Sequence, residues 1–223
     1  MRQGRWIAVA AGVAASVALV APAVAGVKSA ASDKAILKAG VLTAADVPST
    51  WTSAKQADSG SKGFKGIASC KQIVAATDTA RRGPRALSRS FGDPATTSNA
   101  GAQDTVYAFK NVTAAQQYVA AFAASNAATC FQDAFNKATS GSQATVTPVT
   151  DLQGVGNQAI GYEASVTGTD QNGKAVHVID DLVGVRVGRA FVGFNFGNND
   201  VRLPQGVAIV QAVVSRLTAT VGG

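Results

Sequence analysis

The chain has 223 residues, 47% hydrophobic and 15% charged, with 20 Lys and Arg against 13 Asp and Glu, two cysteines and one histidine. That length and apolar fraction suit one folded domain and exclude wholesale disorder. So few Cys and His exclude zinc fingers, iron–sulfur centres and multi-histidine metal sites, and no apolar run beyond residue 27 is long enough to span a bilayer, so a metalloenzyme and a multispan membrane protein both drop out.

Arg2 and Arg5 form a short basic start, Trp6 to Val27 carries no charge, and Ala23-Val24-Ala25 follows Pro22. This pattern predicts a secretory signal peptide over residues 1–25, cleaved after Ala25. An uncleaved anchor is the competing reading, although the run is mostly Ala, Val and Gly and weakly hydrophobic. Losing Arg2 and Arg5 leaves 18 basic residues against 13 acidic ones, a formal charge of +5. Residues 26–31 are expected to be a flexible tail and 32–223 a single domain.

Ser32 offers an N-cap to a short helix stopped by Gly40. Thr43 to Asp46 reads as a second turn before Pro48, with Trp51 as an apolar anchor, and Asp58 to Gly66 as a loop. Cys70 to Arg82 permits a helix ended by Gly83-Pro84. Residues 86–92 and 103–110 look like two strands joined by turn chemistry at Gly92-Asp93-Pro94 and Ser98 to Gly101. Ala114 to Ala138 reads as the longest helix; Phe131 and Phe135 fall on a different face from Tyr118, Val119 and Phe122, which predicts a break near Ser125-Asn126. Cys70 and Cys130 are the only thiols, an even count that predicts one disulfide closing 60 residues of chain in an exported protein, worth roughly 4 kcal/mol in the chain-entropy model.

From Gln143 to Gly197 two tight turns fix a register. A turn at Asp170 to Gly173 would set Val166 opposite Ile179 and Tyr162 opposite Val183. A turn at Gly188-Arg189 would set Val185 opposite Val192 and Val183 opposite Phe194. Together they predict a three-stranded antiparallel meander with Ile160, Tyr162, Val166, Ile179, Val183, Val185, Val187, Val192, Phe194 and Phe196 on one face. Glu163, Asp180, Arg186, Leu182 and Phe191 would form a solvated or partly covered opposite face. Pro204 opens a C-terminal helix with Val207, Val210, Val214 and Leu217 in a stripe. The expected fold class is α+β: a mostly antiparallel sheet flanked by helices, an α/β/α-type sandwich.

On Val41-Leu42-Thr43-Ala44-Ala45-Asp46-Val47-Pro48-Ser49-Thr50-Trp51, the central helix reaching Cys130, and Arg189-Ala190-Phe191-Val192-Gly193-Phe194 followed by an amphipathic helix, the chain resembles the extracellular sensor domain of PknH-type actinobacterial serine/threonine kinases and related secreted proteins. The resemblance covers most of residues 35–220. It implies a sandwich whose sheet carries a groove for an unidentified envelope-associated ligand. Two departures stand out: these 223 residues include no kinase domain, and the cysteines of the kinase sensors' second disulfide are missing from them.

His177 would have to serve any Ser/His/Asp or Cys/His mechanism, and no Gly-x-Ser-x-Gly elbow accompanies it; it reads as a partly exposed strand residue opposite Gly168. Asp180 and Asp181 are strand neighbours that point to opposite faces and cannot share a substrate atom. Asp181 is expected on the apolar face, between Ala164 and Phe196, as a ligand-facing acid or an edge residue reached by water. Arg81, Arg82, Arg85 and Arg89 are a candidate clamp for phosphate or carboxylate, or else a solvated basic loop. No aromatic residues interleave with them, which argues against nucleic acid.

The reading is therefore a secreted, non-enzymatic binding module, released or kept at the cell envelope, with no cofactor and no metal. Its candidate ligand-binding residues are Asp181, Tyr162, Phe194, Phe196 and the four arginines, facing an apolar or amphiphilic envelope molecule in a sheet groove. The alternative is an exported protein that binds another protein or an anionic wall polymer through an exposed face. Membrane association would be at most peripheral.

Overall fold

The computed structural model describes residues 31–94, 100–138, 143–169, 174–199 and 205–222. The signal segment, the tail up to residue 30, residues 95–99 of the β3–β4 connection, the Asp170–Gly173 turn and Pro204 lie outside the described residues. In chain order come helix α1 (Asp33–Gly40), strand β1 (Thr52–Lys55), helix α2 (Lys71–Ala80), strands β2 (Arg85–Leu87), β3 (Arg89–Gly92) and β4 (Gly101–Ala108), and helices α3 (Val112–Phe122) and α4 (Ala127–Ala138). Strands β5 (Gln143–Pro148), β6 (Gln158–Thr169), β7 (Ala175–Val187) and β8 (Ala190–Asn199) precede helix α5 (Gly206–Val221).

Local chemistry sets the helix ends. Ser32 accepts from the Ala35 N–H and Asn111 from the Ala114 N–H, so each starts its helix with a side-chain cap. The long central helix is two helices, broken between Phe122 and Ala127 where the sequence places the break. The Tyr162 hydroxyl donates to the Phe122 carbonyl at 2.6 Å and satisfies an orphan acceptor at that end of α3.

Among the described residues all strands pair antiparallel in one sheet ordered β1-β3-β4-β8-β7-β6-β5, with β2 also paired to β4. The meander is present and gains two strands that the sequence reading missed, β1 and β5. The β7–β8 register is as expected, Val183 opposite Phe194 and Val185 opposite Val192. The β6–β7 register differs by one residue: Tyr162 lies opposite Leu182, Val166 opposite Val178, and Thr167 opposite His177. Because side chains alternate, this slip moves Ile160, Tyr162 and Val166 to the other face and brings Glu163 alongside Asp181.

Both faces are buried. On one, α1 and α5 cover Val106, Val183, Val185, Val192, Phe194 and Phe196, with Ile209, Val210, Val213 and Leu217 supplying the helical side. On the other, α2, α3 and α4 cover Tyr107, Phe191 and Tyr162 through Ile73, Tyr118, Val119 and Phe131. The face expected to be solvated is thus the second interior. Gly184 belongs to it: a Cβ there would stand 2.6 Å from the Phe191 ring, so the glycine makes room for the ring. The Cys70–Cys130 disulfide forms as expected, with both cysteines fully buried, and joins the start of α2 to α4.

Two arginines strap the first layer together. Arg216 of α5 makes a two-pronged ion pair with Asp46 and bonds the Ala39 and Val41 carbonyls. Burial raises the Asp46 pKa, but hydrogen bonds from Arg216 and Thr43 outweigh it and hold the carboxyl below its usual range. Arg189, in the β7–β8 turn, reaches Asp33 Oδ1 at 2.5 Å and the carbonyls of Phe109 and Ala31.

Asp104 sits beneath the same strap. Its Oδ2 accepts the Leu42 N–H at 2.9 Å, its Oδ1 is buried without a partner, and the residue is 1% exposed. Burial first, and the nearby Asp46 carboxylate as well, push its pKa to about 7 against hydrogen bonds from Ser88 and Leu42. The folded state then holds a proton that the unfolded chain releases near 3.8, so this contribution is fully present below 3.8 and disappears as pH rises through about 7. Urea unfolding should show stability falling across that window by up to roughly 4 kcal/mol. Asp104→Asn should remove this share of the slope, leaving the smaller share from Asp180, whose pKa is raised to about 6, and stabilise the protein at neutral pH.

Candidate functional site

Between α2 and α3 the helical layer leaves a cleft of about 730 Å³. Its floor is aromatic: Tyr107 and Phe109 project from the end of β4, two residues apart and hence on one face, and meet Tyr118 of α3. Ring centroids lie 5.4 Å apart for Tyr107–Tyr118 and 5.2 Å for Phe109–Tyr118, and Tyr118 stands edge-on to Phe191 at 4.9 Å. The walls are made of small side chains, Ala75, Ala76, Thr79 and Ala80 from α2 and Ala114 from α3, and these keep the cleft open. Arg82 and Lys110 stand exposed on its rim, and neither makes an ion pair among the described residues. Asp33, also on the rim, is held by Arg189.

Burial pushes the Tyr118 phenol pKa well up. It raises Tyr107 too, against a hydrogen bond from Tyr118 and the positive charges of Arg85 and Arg81. Both phenols are therefore neutral donors at physiological pH. The site combines apolar area, hydroxyl groups and two exposed cations, which is chemistry for holding an amphiphile with an anionic end.

The predicted residues divide among several places. Arg81 and Arg85 both bind Asp58, at 2.9 and 2.8 Å, and Arg85 also donates to the Arg81 carbonyl. The hydrogen bond from Arg85 is the main cause that holds Asp58 below its usual pKa, against slight desolvation. Arg89 donates to Ser53. Of the four arginines only Arg82 lines the cleft, so they form no single clamp.

Asp181, Phe194 and Phe196 are buried at 3%, 3% and 1% exposure, and α5 packs over this face. The space that Asp181 and Phe196 border there, against Val210, is only about 10 Å³. Tyr162 sits on the opposite face, under α3 and α4, because of the one-residue slip. The expected meander groove is therefore filled. Asp180 and Asp181 point to opposite faces as expected. Burial chiefly, and Asp181 as well, raise Asp180 to about 6 against a hydrogen bond from Asn195. His177 Nε2 lies 2.7 Å from the Ser165 hydroxyl, a cross-strand contact, and neither residue lines the cleft.

No family model matches this chain, and no curated protein does. Among solved structures it is similar to the crystal structure of the extracellular domain of PknH from Mycobacterium tuberculosis, with a TM-score of 0.50 and 10% identity, covering 86% of this chain and 98% of that one. The likeness is one of fold.

The sequence reading missed Tyr107, Phe109, Tyr118 and Lys110. The available signal was the Tyr107–Phe109 alternation, out of phase with the core residues Val106 and Ala108, opposite a run of alanines in α2. Tyr162 is also raised by burial. In ultraviolet difference titration the three tyrosines should resist ionisation past their ordinary pKa of about 10 while the protein is folded, and titrate together near that value in denaturant.

Proposed function

We propose that the protein is an exported, non-enzymatic binding module that holds an apolar or amphiphilic envelope molecule in the α2–α3 cleft, its anionic end at Arg82 and Lys110. The observation that carries this reading is the aromatic floor of Tyr107, Phe109 and Tyr118 beneath two exposed cations, Arg82 and Lys110, that make no ion pair among the described residues. Each 100 Å² of apolar ligand surface buried there contributes about 2.5 kcal/mol before ordering costs. Export is supported by the basic-then-apolar N-terminus and by a disulfide of the kind that persists in oxidising compartments. The fold likeness to an extracellular domain agrees with it.

Native mass spectrometry of the protein purified from its own culture medium tests the reading. A discrete, dissociable adduct is expected, on a polypeptide that starts at Gly26 and lacks two hydrogen masses. Ala76→Trp, which fills the cleft, should abolish the adduct with melting unchanged, and Arg82→Glu should weaken it about tenfold. A bare wild-type protein, or an adduct that survives Ala76→Trp, would overturn the proposal.

A further inference from the structure

The two sides of the sheet treat their edge backbone differently. In the outer strand β5 the bond from Val149 N–H to the Gly161 carbonyl fixes the parity: odd residues face β6, so residues 144, 146 and 148 point outward. All three are closed. Ala144 N–H donates to the Asn136 side chain at 2.8 Å, Val146 N–H to Gln132 at 3.4 Å, and Pro148 has no N–H.

Among the described residues strand β2 has no such cover. Bonds from Ser88 N–H to the Asp104 carbonyl and from Ala108 N–H to the Pro84 carbonyl set residues 84, 86 and 88 toward β4. The backbone N–H and C=O groups of Arg85 and Leu87 therefore point away from it. Among the described residues no strand pairs with that side, because β1 pairs with β3 and the chain then diverges after Lys55. Between β2 and the diverging segment lies a groove of about 930 Å³, lined by Lys55, Arg85, Arg89 and a single carboxylate, Asp58.

We propose that this open edge of β2 takes an extended, acidic segment of a partner protein as an added strand. The backbone of Arg85 and Leu87 supplies the hydrogen bonds, and the excess of cations selects the charge. Leu87 lies between Arg85, already paired with Asp58, and the groove cations Lys55 and Arg89, so a strand that sets an aliphatic residue beside Leu87 and a carboxylate two positions on, toward Arg89 and Lys55, fits best. A second copy of this basic chain would bring cations onto cations. The site is separate from the α2–α3 cleft and does not depend on a ligand there.

The probe is fluorescein-labelled Thr-Glu-Thr-Val-Thr-Glu-Thr-amide, read by anisotropy against the mature protein, with amide hydrogen exchange locating the contact. Saturable binding with protection at Arg85 and Leu87 is expected. N-methylation of alternate peptide amides, which removes strand pairing without altering the protein, should weaken binding at least tenfold. So should exchanging Glu for Lys in the probe. Leu87→Pro, which removes an outward N–H and leaves the ladder to β4 intact, should do the same with melting unchanged. Ala76→Trp should leave probe binding unaffected. No binding, equal binding by the N-methylated or Lys peptides, protection confined to β1, or a stable dimer in sedimentation velocity would each overturn the proposal.

Discussion

Burial on both faces of the β4–β8–β7 ladder constrains everything else. Once α1 and α5 cover one side and α2, α3 and α4 the other, neither parity of a central strand is left to solvent. Val183, Val185 and Phe194 must meet the first layer while Leu182, Gly184 and Phe191 meet the second. A polar group caught inside needs a partner or a proton, and that is the position of Asp104.

The two layers fill their sides differently. The α1–α5 layer carries branched aliphatic side chains down to Phe194 and Phe196 and is held by Arg216 and Arg189, so it leaves almost no space. The opposite layer meets the sheet through alanines where α2 approaches α3, and the aromatic rings beneath are larger than the helices can enclose. Concavity thus arises where small residues oppose large ones, and at this point two exposed cations, Arg82 and Lys110, stand on the rim.

Much of this was legible in the sequence. Caps at Ser32, the break near Asn126, the Gly188 turn, the disulfide and the sandwich class all follow from short-range chemistry or from pairs of cysteines, which act within a few residues or leave no alternatives. The β6–β7 register was not, because both phases of β6 offer apolar residues: Ile160, Tyr162 and Val166 on one, Ala159 and Gly161 packed against Leu152 on the other. With two buried faces, alternation no longer says which face is inside. The arginine cluster misled for another reason. Its partner, Asp58, lies 23 residues before Arg81 in a loop that looked merely solvated, and spacing cannot show that two of four charges are already spent.

The Cys70–Cys130 bridge has a consequence beyond stability. It anchors α4, and α4 carries the Asn136 and Gln132 side chains that occupy the outward amides of β5. The bond thereby guards the sheet's outer rim against self-templating: a reduced chain in which α4 lifts away would offer β5 to its neighbours. Its characteristic failure would then be polymerisation, edge to edge, ahead of simple unfolding.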